Sequence, residues 1–203
     1  MASVLIVSTS YDTSSYFTKN WAERLHDELL RRGHIGLLMS PELDCRAGNA
    51  LGEALDRVDY VVFFGHGDST GWIAIPYLSG TAQISVLDSS TAQRLSGKRV
   101  YSVCCDSLRN FGTAVASYPG SEFVGYSSKF YFDNDNHTHF RDVIVNSVID
   151  YVSGANATSV AHDLARDWRS LSQDFLVGGL RNNLNASMAA HFADMNMKCV
   201  GSK

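Results

Sequence analysis

Two reactive side chains, His66 and Cys105, each stand just beyond a run of apolar residues. Val61–Phe64 precedes Gly65-His66-Gly67, and Val100–Val103 precedes the Cys104-Cys105 pair. A cysteine thiolate is a strong nucleophile when a base lies within hydrogen-bond reach, and histidine is the usual base. The two residues therefore predict covalent cysteine catalysis, in which Cys105 attacks a carbonyl carbon and His66 carries the proton.

The apolar runs are the elements that must bring these two side chains together. Four or five consecutive apolar residues between polar segments are typical of buried parallel strands. In an open α/β sheet, ligands and reacting groups collect at the carboxyl ends of such strands. We therefore expect His66 and Cys105 to meet at one edge of a sheet.

Three further features of this edge follow from the same residues. Gly67 has no Cβ, so a substrate carbonyl can approach its N–H; together with the N–H of Cys105 it predicts an oxyanion hole, worth about 3 kcal/mol per donor. A helix predicted from near Ser107 would favour the Cys105 thiolate through its N-terminus. Cys104 is the residue before Cys105, so it is expected on the opposite face, in the core.

The rest of the chain alternates apolar strands with helices that have one apolar face. This alternation predicts an α/β domain of three layers, with a mostly parallel six-stranded sheet flanked by helices. The segment Ser69–Ser85 is predicted to be irregular and to hold a hairpin or a loop. The predicted strands are Val4–Ser8, Ile35–Met39, Tyr60–Phe64, Arg99–Val103, Glu122–Tyr126 and Met197–Val200.

Composition excludes several classes of function. The chain has 203 residues, a net charge of −4 and only 17 lysines and arginines, which argues against a nucleic-acid partner. No apolar run is long enough to span a membrane, and the N-terminus carries no secretory pattern, so a cytoplasmic location with reduced thiols is expected. Asp133–His139 contains possible metal ligands but lacks the glycine of a Ca²⁺ loop, so we predict a polar loop, no metal and no cofactor.

The two motifs resemble the His-Gly and Ala-Cys blocks of the caspase-fold (clan CD) cysteine peptidases. The histidine precedes the cysteine, as in that family, and Cys104-Cys105 is similar to the Cys-Cys pair of metacaspases. Cys105-Asp106-Ser107 resembles the Cys-acid-small pattern of the CHAT-type bacterial proteases. Gly120–Tyr126 and Met197–Gly201 are similar to the fifth and last strands of these proteins.

The resemblance implies a caspase-like peptidase domain over 1–203 that is a cysteine endopeptidase. Cys105 would form a thioester acyl-enzyme, and His66 would act as general acid and base. Peptides or proteins are the implied substrates, and a protein partner or ligand that orders the active site is the implied regulator.

Substrate preference does not transfer from the family. Caspases have Gln and metacaspases have Asp where this chain has Val103. The loops after the first and fifth strands are expected to line the pocket for the P1 side chain, which precedes the cleaved bond. We expect substrate binding by Asp12, Val103, Tyr126 and Ser127, with Asp12 favouring a basic P1 residue.

Two other functions remain open from the residues alone. One is a catalytically silent caspase-fold scaffold that uses its loops for interaction. The other is an unrelated flavodoxin-like protein that binds a small ligand at the strand ends.

Overall fold

The computed structural model describes residues 1–40, 47–75, 84–177, 180 and 183–201. Short 3-10 helices cover Ala92–Leu95 and Asn134–Asn136, and a π-helical turn covers Leu108–Gly112. The other elements are, in chain order, β1 (Ser3–Ser8), α1 (Thr13–Arg31), β2 (Ile35–Met39), α2 (Ala47–Leu55), β3 (Tyr60–Phe64), β4 (His66–Asp68), β5 (Gly71–Ile75), β6 (Ile84–Asp88), β7 (Arg99–Val103), α3 (Thr113–Ala116), β8 (Glu122–Tyr126), α4 (His137–Val152), α5 (Ala157–Leu176), α6 (Leu184–Asn196) and β9 (Met197–Gly201).

The main sheet has six strands in the order β2-β1-β3-β7-β8-β9. The first five strands of this order are parallel, and β9 runs antiparallel to β8. The mostly parallel six-stranded sheet predicted from the sequence is confirmed. The predicted bounds of β2, β3, β7 and β8 agree with the structure, and those of β1 and β9 differ by one residue.

Helices cover both faces of the sheet because each strand is apolar on both sides. In β3, Val62 and Phe64 face the core formed with α1, α4, α5 and α6. Val61 and Phe63 face the second core, formed with α2, α3 and the 3-10 helix Ala92–Leu95. The three-layer architecture is therefore confirmed.

Helix α1 leads from the end of β1 across one face of the sheet. Trp21, Leu25 and Leu29 fall at four-residue spacing and are completely buried. Asp12 caps the N-terminus by accepting a hydrogen bond from the Ser15 N–H, and Gly33 has a φ of +80° just after the C-terminus. The cap fixes Asp12 at the carboxyl end of the sheet.

A second, three-stranded sheet follows His66 directly. Strands β4 and β5 form an antiparallel hairpin, and β6 pairs with β5 on its other side. Trp72 anchors this sheet: its ring stacks on Phe63 at 4.6 Å and its N–H donates to Ser102 Oγ at 2.9 Å. The hairpin expected in this region is present, and residues 76–83 of the same segment lie outside the described residues.

The single helix predicted after Cys105 is instead a π-helical turn followed by one turn of α-helix. The N–H of Gly112 donates to the carbonyl of Ser107, five residues earlier, at 2.8 Å. A Cβ on Gly112 would come within 2.8 Å of the Phe123 ring, so the turn packs directly on β8.

No helix in the described part of the chain is long and apolar enough to cross a membrane.

Candidate active site

His66 and Cys105 lie at the carboxyl ends of the adjacent parallel strands β3 and β7. The register pairs Phe64 with Val103, and each reactive residue stands two positions beyond its member of that pair. The N–H of Gly65 donates to the carbonyl of Val103 at 3.3 Å, which continues the ladder past the strands. His66 and Cys105 both line one cavity of about 330 Å³.

The turn between β3 and His66 requires a glycine. Gly65 has a φ of +155°, a conformation that residues with a side chain rarely adopt. A Cβ there would also overlap the hydroxyl of Thr9, whose N–H donates to the Phe64 carbonyl at 3.0 Å. The end of β1 therefore presses against this turn and fixes the position of His66.

Asp12 holds His66 with one carboxylate oxygen and caps helix α1 with the other. His66 Nε2 lies 2.9 Å from Asp12 Oδ2, while Asp12 Oδ1 accepts from the Ser15 N–H at 2.8 Å. The Tyr11 ring stacks on the imidazole, with centroids 5.1 Å apart. The loop after β1 thus holds the histidine through the carboxylate of Asp12 and the ring of Tyr11.

The carboxyl group of Asp12 is ionised at neutral pH. Burial alone would raise its pKa, but hydrogen bonds from the Ser15 backbone and side chain and from His66 lower the pKa below its ordinary value. The sequence interpretation assigned this carboxylate to a basic substrate side chain. In the structure it is engaged by His66 and by the helix cap, and it does not line the 330 Å³ cavity.

The thiol of Cys105 is half-buried and held by the backbone of Phe130. The Phe130 N–H donates to Cys105 Sγ at 3.4 Å, and the thiol faces the Phe130 carbonyl at 3.8 Å. Burial raises the pKa of Cys105, Asp106 raises it further, and the Phe130 N–H and Lys129 oppose them without reversing the shift. The element after Cys105 is a π-helical turn and not the regular helix that was expected to favour the thiolate, and desolvation is the largest effect on this pKa.

Cys104 points to the opposite side of β7, as predicted. It is 1% exposed, lies 3.2 Å from Ser102 Oγ, and burial raises its pKa to about 12. Gly67 packs on it so closely that a Cβ on Gly67 would lie less than 3.0 Å from Cys104 Sγ and 3.1 Å from the Gly71 carbonyl. The sequence interpretation attributed this glycine to substrate approach, whereas the structure shows that Cys104 occupies the space of a side chain.

The segment 129–132 forms one wall of the cavity. The Phe130 ring is inserted among Tyr126, Trp21 and Trp168, at centroid distances of 4.6, 6.4 and 6.2 Å. Its neighbours Lys129, Tyr131 and Phe132 line the cavity itself. The sequence predicted that the loop after the fifth strand would line the pocket, but it gave no signal that the backbone of Phe130 contacts the nucleophile.

None of the four predicted substrate-binding residues lines the cavity. Val103 and Tyr126 are completely buried in the helix-covered core, so neither offers surface to a substrate, and we do not retain this role for them. Ser127 donates from its N–H to the Asn196 carbonyl at 2.8 Å and accepts from Arg109 at 2.8 Å. Its polar groups are used to join β8 to α6.

The segment with possible metal ligands forms a turn. Asp133 accepts a hydrogen bond from the Asn136 N–H at 3.2 Å and thereby caps the 3-10 helix that precedes α4. Among the residues that the structure describes, no group of three histidines, cysteines or carboxylates is placed to hold a metal ion.

Comparison with known proteins identifies the fold. No profile of a known protein family matches the sequence, and no curated protein matches it either. The structure is similar to the crystal structure of the arginine-specific cysteine proteinase gingipain R, with a TM-score of 0.56 and 12% sequence identity. The match covers 98% of this chain but only 46% of gingipain R, so the chain spans about half the length of that protein. The chain therefore has the caspase-like fold of the clan CD cysteine peptidases.

Proposed function

We propose that this chain is a cysteine endopeptidase, with residues 1–203 forming its peptidase domain. The observation that carries the proposal is the placement of His66 and Cys105 at equivalent positions after two hydrogen-bonded parallel strands, on one cavity. Neighbouring strands lie about 4.8 Å apart, which suits a base and a nucleophile that act on the same substrate atom. The similarity in fold to a cysteine proteinase agrees with this chemistry.

The reaction starts from a neutral thiol, because burial raises the pKa of Cys105. Asp12 engages His66 Nε2, so Nδ1 is the nitrogen that remains for proton transfer. His66 takes the thiol proton as Cys105 Sγ bonds to the peptide carbonyl carbon, and it returns that proton to the leaving amine as the C–N bond breaks. The product of this half-reaction is a thioester on Cys105.

Water completes the cycle with the same residues. His66 takes a proton from water while the water oxygen attacks the thioester carbonyl. The C–S bond then breaks, the proton returns to Cys105 Sγ, and a carboxylic acid is released. In both half-reactions, Asp12 stabilises the imidazolium that forms on His66. Asp12 is therefore a positioning residue.

Two backbone groups are proposed for the oxyanion hole, the N–H of Gly67 and the N–H of Cys105. Within the described residues, the Cys105 N–H has no acceptor on another residue. Such a group can donate to the negatively charged oxygen that develops during attack. In this conformation the Phe130 backbone holds the thiol of Cys105. We therefore also propose that a protein partner activates the enzyme.

The proposal is tested by active-site labelling followed by intact-mass measurement. The probes are iodoacetamide and a panel of peptide acyloxymethyl ketones that differ at P1. The wild type should be labelled once, and both Cys105→Ala and His66→Ala should lose rapid labelling by the ketones. Cys104→Ala is the matched control and should be labelled like the wild type, because Cys104 is 1% exposed and burial raises the pKa of its thiol to about 12.

Two results would contradict the proposal. Ketone labelling that persists in Cys105→Ala would move the nucleophile elsewhere. Absence of labelling and of peptide hydrolysis in a folded wild type would favour the scaffold alternative.

A further inference from the structure

Helix α6 has its small residues inside and its large apolar residues outside. The side chains it buries against the body are Ala186, Ser187, Ala189, Ala190 and Ala193. Met188, Phe192 and Met195 follow one another at four- and three-residue spacing on the opposite side, and they are 48%, 39% and 58% exposed. Surface helices normally place charged or polar residues on such a face. An exposed apolar stripe of this kind typically marks a binding surface.

These three side chains form one wall of a groove of about 780 Å³. Tyr131, which is 46% exposed, also lines the groove, and its ring contacts that of Phe192 with the centroids 6.0 Å apart. Methionine-rich walls adapt to side chains of different shape.

The groove is continuous with the candidate active site. Lys129, Tyr131 and Phe132 line both the groove and the 330 Å³ cavity that contains His66 and Cys105. Asp106, the residue after the nucleophile, also lines the groove. The groove therefore adjoins the cavity of Cys105 along the segment 129–132.

The charges around the groove favour a neutral occupant. Four charged residues line the groove, two acidic (Asp106 and Asp133) and two basic (Arg109 and Lys129), so their formal charges balance, and Arg109 Nε lies 3.2 Å from Asp106 Oδ1. The centre of the groove is lined by thioether and aromatic groups, where an unpaired charge would be poorly solvated.

We propose that the groove lined by α6 and Tyr131 is a substrate subsite. It binds a bulky apolar side chain of an extended peptide, close to the bond that is cut. This inference rests on the proposed peptidase function and adds a specificity to it. Met188 and Phe192 are the residues that determine the preference.

The test measures peptide binding and peptide cleavage separately. The probes are fluorescein-labelled Ser/Gly decapeptides in which one Leu is moved along the sequence, with an all-Ser/Gly peptide as reference. Binding to Cys105→Ala protein is followed by fluorescence anisotropy, and hydrolysis by the protein with Cys105 intact is followed by chromatography. Met188→Asp and Phe192→Asp are compared with Leu184→Asp, which alters another exposed apolar residue of α6, one that does not line the groove.

At one register, the Leu peptide should bind about tenfold or more tightly than the reference, since burial of one leucine is worth at least that factor. The advantage should disappear in Met188→Asp and Phe192→Asp and remain in Leu184→Asp. Binding without dependence on Leu, or an equal loss in Leu184→Asp, would overturn the inference. The inference would also be overturned if sedimentation showed that Met188→Asp changes the oligomeric state while peptide binding stays unchanged. The groove would then hold a second copy of the chain. Leu-dependent binding without hydrolysis or labelling of Cys105 would support the groove and refute the peptidase.

Discussion

Replacing Gly67 by alanine tests the packing between the β4–β5 hairpin, which contains His66, and Cys104, which follows β7. The new Cβ would lie less than 3.0 Å from Cys104 Sγ, 3.2 Å from Cys104 Cβ and 3.1 Å from the Gly71 carbonyl oxygen. Ordinary contacts of a Cβ begin at 3.4 Å, so the sulfur is the atom that must move. It is 1% exposed and belongs to the core that contains Phe63 and Trp72.

The expected cost follows from two opposing effects. Overpacking a well-packed core costs about 1–3 kcal/mol. The φ of Gly67 is not in the left-handed region, so alanine loses less conformational entropy on folding and regains about 0.4–1 kcal/mol. We therefore expect Gly67→Ala to lower the free energy of unfolding by about 1–2 kcal/mol.

A second substitution shows whether the contact with Cys104 causes the loss of stability in Gly67→Ala. Cys104→Ala removes the sulfur and should cost about 1 kcal/mol by itself, since one buried group is lost. The Ser102 hydroxyl that contacts this sulfur keeps its hydrogen bond from Trp72 at 2.9 Å. In the double variant the closest contact is gone, so its stability should resemble that of Cys104→Ala.

The four proteins are compared by urea unfolding in a double-mutant cycle. A favourable coupling of about 1 kcal/mol or more is expected between the two substitutions. A coupling below about 0.5 kcal/mol is within the range of independent sites and would refute the reasoning. Cleavage rates of the same variants would then report separately on the N–H of residue 67 as an oxyanion donor.

Three further predictions concern the charged and titrating groups of the site. Asp12→Ala should lower the free energy of unfolding by about 1 kcal/mol in urea, because α1 loses its cap, whereas Asp12→Asn should cost less than about 0.5 kcal/mol. Both variants should reduce kcat/KM by a similar factor for basic and apolar P1 residues; a loss confined to Arg and Lys would instead make Asp12 a substrate ligand. Burial raises the pKa of Cys105 above 9.0, so its alkylation rate by iodoacetamide should still be rising at pH 9, and a plateau below pH 8 would contradict this environment. Burial also raises the pKa of Cys104 from 9.0 to about 12, so its contribution to stability is complete below pH 9 and is lost as the pH rises towards 12. The slope approaches about 1.4 kcal/mol per pH unit, and it should be reduced in Cys104→Ala if denaturation is measured from pH 8 to 11.

The strands that carry the reactive residues could be predicted because their sequence leaves few alternatives. Tyr60–Phe64 and Arg99–Val103 are apolar on both faces, and a short segment of that kind is stable only inside a covered sheet. The positions of His66 and Cys105 then follow from the end of each strand.

The partner of His66 was not predicted, although its local signal is present in the sequence. Asp12 followed by Ser15 is a capping pattern and places Asp12 at the start of α1. That the same carboxylate reaches His66 depends on how β1 and β3 end beside each other, a contact between residues more than fifty positions apart. Local patterns carry no information about such a contact.

The face of α6 that is buried could not be deduced from periodicity. The helix has alanines on one side and Leu184, Met188, Phe192 and Met195 on the other, so both sides are apolar. Hydrophobicity alone assigns the larger side chains to the core. The structure buries the alanines, because small residues let α6 lie close to its neighbours.

The hydrogen-bonded ladder between β3 and β7 also bears on how relatives of this chain can be recognised. The spacing of the two reactive residues is fixed by main-chain groups, which every residue type except proline provides equally. Substitution of one apolar residue by another in either strand leaves that spacing unchanged. Overall identity can therefore fall to the 12% seen with gingipain R while the shared architecture persists. A search for distant relatives should accordingly use two apolar strand patterns, one ending in Gly-His-Gly and the other in a cysteine, with any length of sequence between them.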